Sequence, residues 1–356
     1  TLPICKRLPV FWGGTHPIGF PGTPPAPNPN NNIAGDGNPN GFFYDVEAYG
    51  AVGDGSTDDG PAIQAAFNAA YQNGGGVLLF HARTYLIATP ITDATLSNPI
   101  GISFWGPRAT ESPLYAVLKA PSNAQNPIFN LQVVRATFSN IGFVFPAPTS
   151  QYVPLIKLAQ KATFDHCTFN VTTGSFGTFV EFDGGLNIVH DFINCRFTGI
   201  TTPFSAVTNE GQNLYFEGCA CDSIGQFLSN QGPNQSQVVL VACNFAAGTS
   251  IQSSGYFDLS KTLLLSIGNV YAVANPNTVL FNLRSTQPQN QLWTFGDTFN
   301  QSNFNALFCN PADNSGISLV GGAGLSILNT NLSGGKIATW PVVTALSPVS
   351  LSLIHI

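Results

Sequence analysis

Residues 44–87, YDVEAYGAVGDGSTDDGPAIQAAFNAAYQNGGGVLLFHARTYLI, decide the fold, and they read as a cap, a helix and a first coil. Phe43 to Tyr49 alternates well enough for a strand, and Gly50 to Gly60 is a glycine- and aspartate-rich turn. Asp58 or Asp59 is placed to cap the helix that follows. Pro61 suits the first helical turn, where its missing N–H costs nothing, and Ile63, Ala66, Phe67 and Ala70 form one apolar stripe. Gly74-Gly75-Gly76 ends that helix, and Val77-Leu78-Leu79-Phe80 is an apolar run bounded by turns, which predicts a buried strand.

Downstream of residue 100 the chain repeats in two registers. One is an apolar-x-apolar strand beginning at Phe129, Ile156, Val180, Phe204, Phe227, Phe257 and Phe281. The other begins at Ile141, Cys167, Cys195, Cys219, Cys243, Asn269 and Asp297, with Thr330 as a last candidate. Both advance by roughly 25 residues, the mark of a solenoid with one coil per repeat. Such a coil is too short for a crossover helix plus strands. Stacked coils therefore make parallel sheets about 4.8 Å apart in the hydrogen-bonding direction, with right-handed crossovers.

The stretch at 44–87 resembles the N-terminal signature of the pectate-lyase-like parallel β-helix superfamily: the YGAVGDGSTDD turn, the AIQAA helix and the glycine-led strand all recur there. Where that signature has FPxGTY, this chain has Phe80-His81-Ala82-Arg83-Thr84-Tyr85, so Arg83 stands in place of a glycine. The expected fold is all-β, a right-handed single-stranded parallel β-helix of about 25-residue coils with an N-terminal capping helix. The resemblance implies glycan chemistry of the tailspike, glycoside hydrolase or polysaccharide lyase kind.

The expected organisation is a Pro/Gly/Asn-rich arm or linker at 1–42, a β-helix at 43–335 and a C-terminal segment at 336–356. Within the arm, Phe11, Trp12 and Phe20 would anchor a docking partner. Thr1 to Trp12 has no apolar core of the signal-peptide kind, and Pro341 and Pro348 interrupt the last apolar stretch, so neither reads as a membrane element. Only 8% of residues are charged, with 12 Lys+Arg against 18 Asp+Glu, which leaves no electrostatic footprint for nucleic acid. A surface solvated by amides and hydroxyls suits a polysaccharide or surface glycan.

Cys167, Cys195, Cys219 and Cys243 share one register position. Their spacing does not match a zinc site, and in-register parallel side chains point the same way rather than at each other. They read as a buried ladder of free thiols. Neither a metal nor a cofactor is expected. Seven cysteines leave at least one unpaired, as fits assembly in a reducing cytosol.

With the apolar flanks of the first register inward, the outward row reads Asn130, Lys157, Glu181, Ser205, Leu228, Asp258, Asn282, and the next reads Gln132, Ala159, Asp183, Val207, Asn230, Ser260, Arg284. Glu181 and Asp183 then share one outer face beside Lys157, the best carboxylate pair in the chain for acid–base chemistry. They are the candidate catalytic residues, with Lys157, Asp258 and Arg284 as candidate substrate-binding residues. A solvated Lys157–Glu181 ion pair is the competing reading. Asp165-His166 and His190-Asp191 place acid and imidazole on opposite faces of a strand and so make no dyad. Outward Leu228 and Val207 predict a homo-oligomer, and the tailspike resemblance implies a trimer at an extracellular or virion surface. An enzyme acting on the glycan and a non-catalytic structural or receptor-binding component both remain open at this stage.

Overall fold

The computed structural model describes residues 42–107, 115–122, 124–146, 154–173, 177–183, 188–199, 204–209, 211–230, 235–247, 255–273, 281–283, 290–295, 297–299, 309–311 and 317–319. Residues 1–41 of the proposed arm at 1–42, Arg284, Thr330 and the segment at 336–356 lie outside the described residues.

The chain visits three parallel sheets in turn. Among the described residues the first has 11 strands, running from Phe43–Asp45 to Ile317–Leu319; the second has 10, from Asp54–Asp58 to Thr298–Phe299; the third has 9, from Ile91–Thr92 to Cys309–Pro311. Each strand pairs with the strands one coil before and after it, so the structure is a parallel β-helix. The helix Gly60–Gln72 covers the lower end with Ile63, Ala66, Phe67 and Ala70 buried, as its stripe predicts. Pro61 lies in its first turn, and Gly74 follows at φ +83°.

Two local expectations change at this end. The run from Phe43 is strand only to Asp45, because the Asp45 carboxylate accepts the Glu47 N–H at 3.0 Å and opens a 3-10 turn over Val46–Tyr49. The helix-capping aspartates also divide their work. Asp59 makes no side-chain cap; it accepts the Val52 and Gly53 N–H groups and closes the glycine-rich turn. Asp58 accepts from Gly60 N–H and reaches across to Ala88 N–H and the Thr89 hydroxyl.

Between the first and second sheets six successive coils each turn on one residue in the left-handed region: Asn140, His166, Asn194, Gly218, Ala242 and Gly268. The residue after each of the middle four corners is Cys167, Cys195, Cys219 or Cys243, all buried and free. Each thiol donates to the carbonyl of the phenylalanine one coil below, Phe138, Phe164, Phe192 and Phe216 respectively, at 3.3–3.7 Å. Those phenylalanines form a stack, from Phe104 through Phe138, Phe164 and Phe192 to Phe216, with centroids 4.6–5.0 Å apart. Burying each ring contributes about 1.5–3 kcal/mol, and ring pairing adds to it. Burial pushes the Cys195 and Cys221 thiols up, which keeps them as neutral small hydrophobes.

The third sheet differs from the sequence reading by a shift of register. Val180 pairs with Val207 and Val207 with Leu228, so the inward position is held by Val207 and Leu228 rather than by Phe204 and Phe227. Phe204-Ser205-Ala206-Val207 and Phe227-Leu228 each offer more than one apolar frame, and a period of two cannot choose between them. Val207 and Leu228, expected to face outward and to carry the oligomer argument, are both fully buried. Phe227 is buried too, packed on Phe197 and Phe245.

Candidate functional site

On the strand Pro154–Leu158, Ile156 and Leu158 point into the core and Lys157 points out; on Gly177–Phe182, Val180 and Phe182 point in and Glu181 points out. Lys157 and Glu181 are register partners, with Asn130 one coil below Lys157 and Thr208 one coil above Glu181. Asp183 lies one residue past its strand but keeps the ladder going, since its N–H donates to the Leu158 carbonyl at 2.9 Å. Ala159, whose N–H donates to the Leu131 carbonyl at 2.9 Å, stands between the Gln132 and Asp183 positions of the ladder.

Lys157 Nζ donates to Glu181 Oε1 at 3.0 Å and to Asp183 Oδ2 at 2.7 Å. Glu181 is the most sheltered of the three, 13% exposed against 30% for Lys157 and 36% for Asp183. Burial alone would lower the Lys157 pKa; the hydrogen bonds and charges of Asp183 and Glu181 outweigh it and raise the pKa, so Lys157 is held as a cation. One rung below, Gln132 Nε2 donates to Asn130 Oδ1 at 2.9 Å. The result is a half-sheltered row of amide, ammonium, carboxylate and hydroxyl groups that offers both hydrogen-bond donors and acceptors.

Asp258 does not join this row as a surface group. It is the register partner of Ser229, and both are buried, so the outward row is closed over at these coils and Asp258 cannot meet a ligand from solvent. The alternation argument misplaced it because strands Gln226–Asn230 and Phe257–Leu259 are buried on both faces.

The two acid–imidazole neighbours part company. His190 is buried and Asp191 faces outward, as alternation requires, with Nδ1 of His190 accepting the Ala162 N–H at 3.1 Å and Nε2 donating to Gln212 Oε1. Asp165 and His166 do touch, Oδ1 to Nδ1 at 2.7 Å, because His166 occupies the left-handed corner at φ 51° and the strand rule no longer holds there. Sequence reasoning also missed a charged cluster on the first coils, where Arg83 Nε meets Glu47 Oε1 at 2.9 Å, Tyr85 donates to the same oxygen at 3.1 Å and His81 meets Asp45 at 3.0 Å. Arg83 in place of the signature glycine is the signal that could have found it. Among the described residues no group of three or more His, Cys, Asp or Glu side chains is arranged to hold a metal, and no helix is long and apolar enough to cross a membrane.

Comparison with known proteins bears on the same frame. The tailspike protein of Acinetobacter phage vB_ApiP_P1 has a similar fold, at 15% identity and TM-score 0.46 over 77% of this chain and 55% of that one. PfbA, a surface adhesin of Streptococcus pneumoniae, is similar at 12% identity and TM-score 0.42, over 78% of this chain and 79% of its own. Mannuronan C5-epimerase AlgE1 of Azotobacter vinelandii is 47% identical over 45 residues, which is 13% of this chain and 3% of that protein's length. The match to the epimerase is therefore local. A family model described as rhamnogalacturonase A/epimerase, pectate lyase-like, matches residues 43–252. The chain thus belongs to the rhamnogalacturonase A/epimerase family of pectate-lyase-like β-helices.

Proposed function

We propose that the protein binds a polysaccharide along the outer face of the third sheet and acts on it there, with Glu181 and Asp183 as the catalytic carboxylates and Lys157 as a binding residue. The observation that carries this reading is the shared contact: two carboxylates from one strand end meet one ammonium at 3.0 and 2.7 Å. The shared ammonium brings one oxygen of each carboxylate close together while the other oxygens stay free to turn, so for hydrolysis the pair serves either a retaining or an inverting scheme. For elimination, Lys157 supplies a cation beside a carboxylate base.

The second reading, a non-catalytic surface or virion component, is favoured by the same lysine, which offsets part of the acid charge. A panel of polysaccharides separates the two, scored for bound ligand, for new reducing ends and for the absorbance of unsaturated uronates. Product supports the catalytic reading. Binding without product leaves a receptor-binding component, and no binding to any member of the panel overturns the catalytic reading and leaves a structural one. Placement at an extracellular or virion surface, and a homotrimer, follow from the tailspike resemblance and belong to this reading; light scattering that returns the monomer mass of 37.6 kDa overturns the trimer.

A further inference from the structure

A cleft of about 350 Å³ lies on the outer face of the first sheet, away from the row on the third. Its lower wall is the end of the helix, Asn73 to Gly76, with Phe42 beside it; its floor is made of Gly101, Ser103, Thr137 and Thr163, and its upper rim carries Arg135 and Lys161. Three features of the chain build it. Gly75 and Gly76 hold backbone that no side chain could share, since a Cβ on Gly75 would stand 2.6 Å from the Gly101 carbonyl and one on Gly76 2.6 Å from the Tyr44 ring. Gly101 has open space where a side chain would be. Ser103, Thr137 and Thr163 are successive register partners, so their outward positions form a hydroxyl ladder along the floor.

The charges are arranged unusually. Gly101 pairs with Arg135, and Ala136 with Ala162, which sets Arg135 and Lys161 on facing positions of neighbouring strands. Like charges in that relation repel. Lys161 is steadied by Asp191 at 3.3 Å, but among the described residues no carboxylate pairs with exposed Arg135. An anion lodged between the two would remove the repulsion, and an Arg guanidinium presents a fork that a carboxylate or sulfate can meet with two hydrogen bonds. The hydroxyls below it supply partners for further hydroxyls, and the exposed Phe42 ring, 60% accessible, flanks the opening.

We propose that this cleft is a second saccharide site, selective for a sugar carrying an oxyanion, with Arg135 and Lys161 as the charge-reading residues. It rests on the polysaccharide reading above but not on the residues of the third sheet. The test is calorimetric titration of the full chain with a galacturonate hexamer, the same hexamer with its carboxyls methyl-esterified, and a sulfated neutral hexamer. The acidic hexamer is expected to bind at least tenfold more tightly than its ester and to weaken steeply with salt. Arg135→Ala and Lys161→Gln should each weaken it at least tenfold, whereas Glu181→Gln should leave this site unchanged. The sulfated hexamer decides whether the site reads any oxyanion or the carboxylate alone. Equal binding of acid and ester, unchanged binding in Arg135→Ala, or no binding of either charged hexamer overturns the cleft. Loss of binding on Glu181→Gln alone would overturn it while leaving the third-sheet site standing.

Discussion

Nδ1 of His190 accepts the backbone N–H of Ala162, 28 residues earlier in the chain, at 3.1 Å inside the core. That acceptor exists only on a neutral imidazole, and burial accordingly brings the His190 pKa down from 6.5 to about 4. The unfolded chain takes up a proton as pH falls through about 6.5, while the folded one resists until about 4. The His190 contribution to stability is therefore complete above pH 6.5 and declines between 6.5 and 4, by about 3 kcal/mol in all. Urea melts across that range are expected to show the slope in the native protein and to lose it in His190→Asn. A native protein equally stable at pH 4.5 and 7 would contradict this.

If Glu181 and Asp183 perform the chemistry, Glu181→Gln and Asp183→Asn each cut turnover by orders of magnitude while far-UV circular dichroism stays unchanged. Lys157→Met should cost the fold no more than about 1 kcal/mol, because the pair it anchors is partly exposed. Its larger effect is expected on glycan affinity. Full activity in both acid variants would move the reaction to another part of the chain.

The thiol ladder is expected to be reduced. Alkylation in denaturant without reductant, read by peptide mass spectrometry, should modify Cys167, Cys195, Cys219 and Cys243 completely. Native protein should resist the reagent, since all four are buried. A mass deficit matching two disulfides among them would sink the assignment.

Ala242 turns its corner at φ 51°, where an L side chain is strained and its neighbours Gly218 and Gly268 are not. Ala242→Gly should therefore stabilise the protein by up to about 1 kcal/mol, reversing the usual penalty for glycine. The midpoint of chemical denaturation reads it directly; a fall of 1 kcal/mol or more would show that the corner is unstrained.

How far the local residues specify this molecule depends on how many frames each segment allows. The helix stripe at Ile63, Ala66, Phe67 and Ala70 allows one, and so do Ile156-Lys157-Leu158 and Val180-Glu181-Phe182, whose charged middle residue fixes the outward parity, which is why the coil repeat and the Lys157–Glu181 contact were legible in the residues alone. Segments 204–209 and 226–230 allow several, because apolar residues occupy both parities, and there only the pairing of whole coils selected Val207 and Leu228 for the interior. Burial of Asp258 was likewise invisible, since what covers an outward position comes from outside its own strand. The Arg135–Lys161 cleft belongs wholly to tertiary structure: Asn73, Gly101, Arg135 and Lys161 come from four separate stretches and share a surface only because each coil returns to the same sheet one rung higher. Period, glycine and cysteine positions were properties of the sequence by itself, whereas register and the sites that depend on it were decided by which strands came to lie side by side.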